Sequence, residues 1–587
     1  MSCLSPFTAA IGDGDFFLRN KTYAYKTYSS RRAIKVNYPR VVLCKAPVSG
    51  EEKEPSLGKY DRRDVLVGLG GLYGAAGLGN EPFALGAPVA APDLSKCGPA
   101  DFPVGATPTN CCPPVSTKIV DFKLPPPRPL RYRPAAHLVD KDYIAKYEKA
   151  VELMKALPDD DPRSFMQQAD VHCAYCDGAY DQIGFPDLEI QVHNSWLFFP
   201  FHRYYLYFNE RILGKLIGDP DFALPFWNWD APAGMLLPEL YANSRSSLYD
   251  KLRNVNHQPP TLVDLNYGGT DPTMSKEEQL SSNLAVMYRQ MVSSAKTPKL
   301  FFGSAYRAGD NVDPGAGTIE NTPHANLHFW CGDNTQPNSE NMGNFYSAGR
   351  DPIFFCHHSN VDRMWALWKT LPGKKRVDIK EPDYLNASFL FYDENAQLVR
   401  VKVRDCLDQR KLGYDYQKVD IPWLKAKPTP RKKGKNVARR PGVALAAEAP
   451  KDAPSVQFPL VLDKVVTTLV SRPKKKRSKE EKEEEEEVLI IEGIEFDKNE
   501  FIKFDVYVND EHDDLSSPKT TEFSGSFVNV PRKHKSGKKT NTCIKLGITE
   551  LLEDLDNEDD DSILVTLVPK AGVGKVTLGG IKIDFVD

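Results

Sequence analysis

The sequence predicts a mainly α domain, in which a four-helix bundle surrounds a histidine cluster, followed by an antiparallel β-sandwich C-terminal domain. Three observations carry this reading. Proline-led helix starts recur between residues 92 and 427, and most of the histidines fall on or beside them. Residues 428–453 (PTPRKKGKNVARRPGVALAAEAPKDA) have no apolar periodicity and read as a linker exposed to proteases. From residue 454 to 587, short alternating or apolar runs replace the helical spacing.

The chain has 587 residues, too many for one compact core, and a formal charge of −3. Such a balance gives no global basic field, so neither nucleic acid nor an acidic membrane surface is an expected partner. Residues 1–50 carry eight Lys/Arg against Asp13 and Asp15, with scattered Ser, Thr and Tyr, which is transit-peptide composition. Arg62-Arg63 then precede Val65–Gly79, an apolar stretch diluted by six glycines, and Val89-Ala90-Ala91 precede Pro92. Fifteen glycine-rich residues are too few for a stable transmembrane helix, so no integral membrane span is expected. A twin-arginine export signal fits better, and residues 1–91 together read as a bipartite chloroplast and thylakoid-lumen targeting peptide.

In the domain 92–427, Asp161-Pro162, Thr322-Pro323 and Asp351-Pro352 each offer a cap and a first-turn proline, and Pro200 does the same within Trp196–Leu213. Beyond the linker, strands are expected at Phe458–Val470, Val488–Glu495, Phe501–Val508, Phe523–Val530, Ser562–Val568 and Val576–Phe585.

His324 and His328, four apart after a helix start, lie one turn apart on one face and can converge on one ion. A third ligand can come from His357-His358, whose side chains diverge by about 100°, so that only one faces the pair. Upstream, His172 follows one helix start, His202 falls in the turn after Pro200, and His193 precedes it from a loop. Two sets of three imidazoles on four helix segments can enclose two metals. Di-iron bundles use carboxylates and structural zinc commonly takes thiolates, whereas three neutral imidazoles per ion suit copper, including Cu(I). Paired copper can give two electrons to O2, and a catechol can return two.

The stretches HCAYCDG, QVHNSWLFFPFHRYYLYFNERIL, ALPFWNWD, NTPHANLHFWCGD and DPIFFCHHSNVDRMWALW resemble the copper-binding regions of plant catechol oxidases and tyrosinases, the polyphenol oxidase family of type 3 copper proteins. KFDVYVND and EFSGSFVNVP resemble their C-terminal domain. The resemblance implies that His172, His193 and His202 hold the first of two copper ions, and His324, His328 and His358 the second. His357 and His137 are then packing or surface residues. It pairs Cys97 with Cys112 and Cys111 with Cys173 as disulfides, which an oxidising lumen permits, and joins Cys176 to His193 by a thioether. Glu320 matches an acid that holds a water near the second copper. Phe345 matches an aromatic over that copper that narrows the entrance, and Ala325 stands where strong monophenol hydroxylases often carry Asn.

The implied activity is oxidation of o-diphenols to o-quinones with reduction of O2 to water. The implied partners are small phenolic substrates, O2 and an activating protease, because the C-terminal domain is expected to cover the site of a latent precursor. Two alternatives remain open in the sequence: a specialised tyrosinase-type monophenol hydroxylase of secondary metabolism, and a hemocyanin-like O2-binding protein.

Overall fold

Ser164 starts the first histidine-bearing helix, its hydroxyl accepting from the Gln167 amide, while Asp161 turns aside to bind Arg163. In the computed structural model, which describes residues 86–431, 456–510, 517–532 and 539–587, the helix start expected at Asp161-Pro162 is therefore displaced to Phe165. Six helices organise this part of the chain: α1 (Lys141–Lys155), α2 (Phe165–Cys176), α3 (Phe198–Leu216), α4 (Lys276–Tyr288), α5 (Ala325–Cys331) and α6 (Ile353–Trp368). Pro200 sits in the first turn of α3, where its missing N–H costs no hydrogen bond. Asp351 accepts from the Ile353 amide to start α6 and is itself held by Arg253. The Thr322-Pro323 start is less regular. A π-helical turn, Glu320–His324, runs into α5, with Thr322 extended at φ −142°; such turns often mark functional sites.

A three-stranded sheet was not legible in the sequence: β1 (Ile119–Asp121), β2 (Ser388–Tyr392) and β3 (Leu398–Lys402), in the order β1-β3-β2. All five residues of β2 are buried, so it shows no alternation to recognise. Around it the helices share one aromatic core in which Trp227, Trp229, Trp365 and Trp368 are fully buried. Cys97–Cys112 and Cys111–Cys173 are both bonded, and the second ties the N-terminal arm to α2.

The boundary expected at Pro92 falls inside this unit. Val89 is buried, its carbonyl accepts from Ser388, and Ala87 accepts from Ala308. Residues 87–89 thus pack with this unit, and of the targeting peptide read at residues 1–91, residues 1–85 lie outside the described residues. No helix among the described residues is long and apolar enough to cross a membrane.

The C-terminal region is β-rich: β4 (Leu460–Val461), β5 (Val466–Ser471), β6 (Glu486–Phe496), β7 (Lys503–Val508), β8 (Phe523–Val528), β9 (Thr540–Gly547), β10 (Ser562–Ala571), β11 (Val576–Leu578) and β12 (Gly580–Val586). One sheet runs β9-β6-β11-β4, with β12 also on β6; the other runs β8-β7-β10-β5. Side chains from both sheets, among them Leu489, Ile491, Val506, Val565 and Leu567, share one apolar cluster. The run Phe458–Val470 divides into β4 and β5, which join different sheets. Val576–Phe585 breaks at Gly579, where a Cβ would lie 3.0 Å from the Gly493 Cα. Strand β9 was missed because its inward positions include Thr540 and Thr542, which carry no apolar signal. Of the linker, Thr429 pairs with Thr520 and the Arg431 amide donates to Glu522; residues 432–455 lie outside the described residues.

Candidate metal centre

Four helical segments bring the histidines together. His172 lies in the last turns of α2, His202 on the second turn of α3, His324 and His328 on the π turn and α5, and His358 on α6; His193 comes from the loop before α3. Every one of these rings is buried. In the first set the ring centroids are 5.1 Å (His172–His193), 5.0 Å (His193–His202) and 5.7 Å (His172–His202) apart. In the second set they are 4.6 Å (His324–His328), 5.0 Å (His324–His358) and 5.3 Å (His328–His358) apart. The sets adjoin, since His202 stacks on His358 at 4.2 Å.

Five of the six Nδ1 atoms are tied down from outside, and that of His358 has no partner. His172 donates to the Phe345 carbonyl (2.8 Å), His202 to Phe198 (2.8 Å), His324 to Glu320 (2.9 Å) and His328 to Met342 (2.8 Å), while His193 donates to the Gln191 side-chain oxygen (3.0 Å). A carbonyl can only accept, so each Nδ1 carries the proton and each Nε2 presents a lone pair. The Nε2 atoms of His172, His193, His202 and His324 have no protein partner although they are buried. Burial also holds all these rings in the neutral form, lowering His172 to about 3 and His328 to about 4. The His328 and His358 Nε2 atoms face each other at 3.1 Å. Two imidazoles bound to one ion at ~2.0 Å would stand ~2.8–3.3 Å apart at square to tetrahedral angles. Neutral, buried imidazoles in two adjoining sets, four of them with orphaned Nε2 atoms, fit a copper site.

His357, read from the sequence as a packing residue, is drawn into the wall of the second set. Its ring lies 5.4 Å from His324 and 5.1 Å from His328, with both nitrogens unpartnered. His358 alone of this adjacent pair also stacks on the first set. His137 lies apart from the cluster, on the short helical turn Ala136–Leu138. Cys176 is a free, buried thiol whose sulfur lies within 4.8 Å of ligand atoms of His172 and His193.

Glu320 is buried beside the second set. Its Oε1 accepts from the Asn194 amide, its Oε2 has no partner, and burial pushes its carboxyl well above the usual range. Ala325, also buried, is the first residue of α5. Phe345, expected over the second copper, instead sits against the first set, because its ring stacks on His193 at 4.2 Å and meets His172 edge-on at 5.7 Å. It lines a small cleft shared with Asn194, Asp313 and, from the C-terminal region, Lys498 and Arg532. None of those last four was singled out in the sequence, since an isolated Asn, Asp, Lys or Arg carries no spacing signal.

The common central domain of tyrosinase matches residues 162–371, the polyphenol oxidase middle domain residues 378–429, and the chloroplastic polyphenol oxidase C-terminal domain residues 458–585. A chloroplastic polyphenol oxidase of Malus domestica is 65% identical over 557 residues, covering 94% of this chain and 93% of its own. The chain belongs to the plant polyphenol oxidase family. A chloroplastic polyphenol oxidase of Vitis vinifera is 61% identical over 92% of this chain and 89% of its own. The structure of latent apple tyrosinase matches with a TM-score of 0.75 at 65% identity, covering 80% of this chain and all of that one. The chain is accordingly a copper oxidase of phenolic substrates, with a mainly helical core and a β-rich C-terminal region.

Proposed function

We propose that this polyphenol oxidase is a catechol oxidase, converting o-diphenols to o-quinones with reduction of O2 to water, and that it is made as a latent precursor. The observation that supports this most is the two adjoining sets of buried imidazoles, in which the Nε2 atoms of His172, His193, His202 and His324 have no protein partner and those of His328 and His358 face each other. His172, His193 and His202 would hold one copper, and His324, His328 and His358 the other; together the ions would supply the two-electron exchange between O2 and the phenol. The protein's own work is to keep those rings neutral and oriented, to exclude water, and to take up the phenolic proton. Glu320 suits the last of these roles, since one oxygen is anchored by Asn194 and the other is free to face a water or a hydroxyl. Phe345, stacked on His193 and lining the cleft, would limit the angle at which a ring enters. The test is O2 uptake by the copper-loaded, trimmed enzyme on 4-methylcatechol. Reversible oxygenation with no substrate turnover would instead favour an O2-binding protein.

The site favours diphenols over monophenols. Hydroxylating a monophenol requires its proton to be lost as it binds, so a well-held water on Glu320 matters more. At the position after His324 the methyl of Ala325 can neither donate nor accept, leaving that water to Glu320 and backbone groups. Ala325→Asn is expected to raise the tyramine-to-dopamine rate ratio by about 2- to 10-fold, the worth of one added hydrogen bond. An unchanged ratio would move the cause to the aromatics Phe329 and Phe345. A wild type equally fast on both substrates would favour the specialised monophenol hydroxylase.

Cys176 and His193 are placed for the proposed thioether, which would lock that ring before substrate arrives. The intact mass of copper-loaded protein is expected about two hydrogens below that of the chain with its disulfides alone; an unshifted mass removes the cross-link. Targeting to the thylakoid lumen is proposed from Arg62-Arg63 and the glycine-diluted apolar stretch after them, with cleavage before Ala87.

A further inference from the structure

Asn194, directly after His193, adopts the left-handed conformation at φ 54°, which Asn takes up more readily than most non-glycine residues. Its backbone amide donates to Glu320 Oε1, and its side-chain Nδ2 donates to Asp313 Oδ1 at 3.0 Å. The carbonyl of Asn194 accepts from Gly315, so the 313–315 loop grips the residue from two sides. Asp313 is itself buried and held at its other oxygen by Arg532 (2.5 Å) and Lys498 (3.3 Å), both from the C-terminal region. Arg532 also donates to the Cys176 carbonyl (3.2 Å) at the end of α2.

We propose that Asp313 is a positioning residue for the phenol chemistry: through Asn194 it fixes which oxygen of Glu320 is engaged and which is left to face the site. The inference rests on the proposed role of Glu320 and adds the device that orients it. Without the Asp313 contact, the Asn194 side chain loses that partner and the turn is held only by the Gly315 amide, so the Asn194 amide moves off Oε1 more readily. Glu320 can then rotate, and a monophenol, which depends most on that carboxylate, loses more than a catechol does. Asp313 has two oxygens with separate roles, one turned to the site and one to the shielding region. Docking of that region therefore bears on a carboxylate two hydrogen bonds away from Glu320.

The full-length chain is used throughout, with two readouts that do not scale with the fraction of uncovered molecules. The first is the tyramine-to-dopamine rate ratio of the copper-loaded enzyme. The second is deuterium exchange at the Asn194 amide in the copper-free chain. Asp313→Ala is expected to lower the ratio about tenfold, equivalent to one lost hydrogen bond to a charged group, and to speed exchange at Asn194. Asp313→Asn keeps an acceptor for Asn194 and is expected to retain both within about twofold. If Asp313→Ala does not fold, Asn194→Gly tolerates the positive φ, loses the same side-chain bond, and is expected to lower the ratio similarly. A ratio and exchange rate unmoved by Asp313→Ala or Asn194→Gly overturn the proposal. Glu320→Gln is the companion variant: if it leaves the ratio unchanged, the role of Glu320 falls instead, even where exchange at Asn194 responds to Asp313→Ala.

Discussion

His328→Ala is expected to leave a folded protein with about one copper per chain instead of two and with no measurable catechol oxidation. His328 contributes an Nε2 that faces that of His358 at 3.1 Å, while its Nδ1 is held by the Met342 carbonyl. Removing the ring leaves His324 and His358 alone on that side, too few for an ion that takes three imidazoles, while His172, His193 and His202 are untouched. The fold should tolerate the loss. A buried ring truncated to a methyl costs on the order of 2–5 kcal/mol, and both disulfides and the aromatic core remain. His357 supplies the sharpest complication, since its ring is 5.1 Å from His328 with both nitrogens unpartnered. Metal analysis with activity decides: full copper content with retained turnover would refute the assignment of His328, and the double variant with His357→Ala would tell whether the neighbouring ring had replaced it.

The histidines were legible because helical periodicity is a strict geometric code. Four residues separate His324 from His328, and the structure sets them 4.6 Å apart. His193 and His202, nine apart, had to be assigned to a loop and a helix around Pro200, and α3 indeed begins at Phe198. What orients the rings was not legible. Four of the five Nδ1 partners are backbone carbonyls, of Phe345, Met342, Phe198 and Glu320, and any residue type supplies a carbonyl. Asn194 and Asp313 met only through a loop closure spanning 119 positions. For His357-His358 the 100° divergence separates the two rings without bringing either to solvent: His358 stacks on His202, and His357 packs against His324 and His328. In the β-rich region, strands with large apolar residues were found, whereas β9, with threonines facing inward, was not.

Limited proteolysis between the two regions is expected to raise catechol oxidation strongly, by roughly 10- to 1000-fold, because the C-terminal region lies against the elements that carry the site. Its edge strand β8 pairs with a side chain: Asn321, beside Glu320, donates to the Ser526 carbonyl and accepts from the Val528 amide at 3.1 Å. Val528 and Val530 belong to the apolar core of the helical domain, and Phe501 stacks on Phe329, the residue after His328, at 3.6 Å. Arg532 and Lys498 close the cleft with buried ion pairs to Asp313, and Arg532 also reaches Glu189 at 3.4 Å. Such a cover opens only through a minor population, roughly 0.1–10% for a gap of a few kcal/mol, and activity scales with that fraction. Cutting in residues 432–455 leaves these contacts intact at first, so the gain should follow dissociation of the fragment rather than the cut itself. Arg532→Gln separates the two effects, because the substitution lies in the fragment and the trimmed enzyme is unchanged. The uncut variant is expected to gain activity with KM for 4-methylcatechol little altered, and after trimming its rate should equal that of the wild type. Uncut wild-type chain already as active as the trimmed form would show that the cover does not limit access.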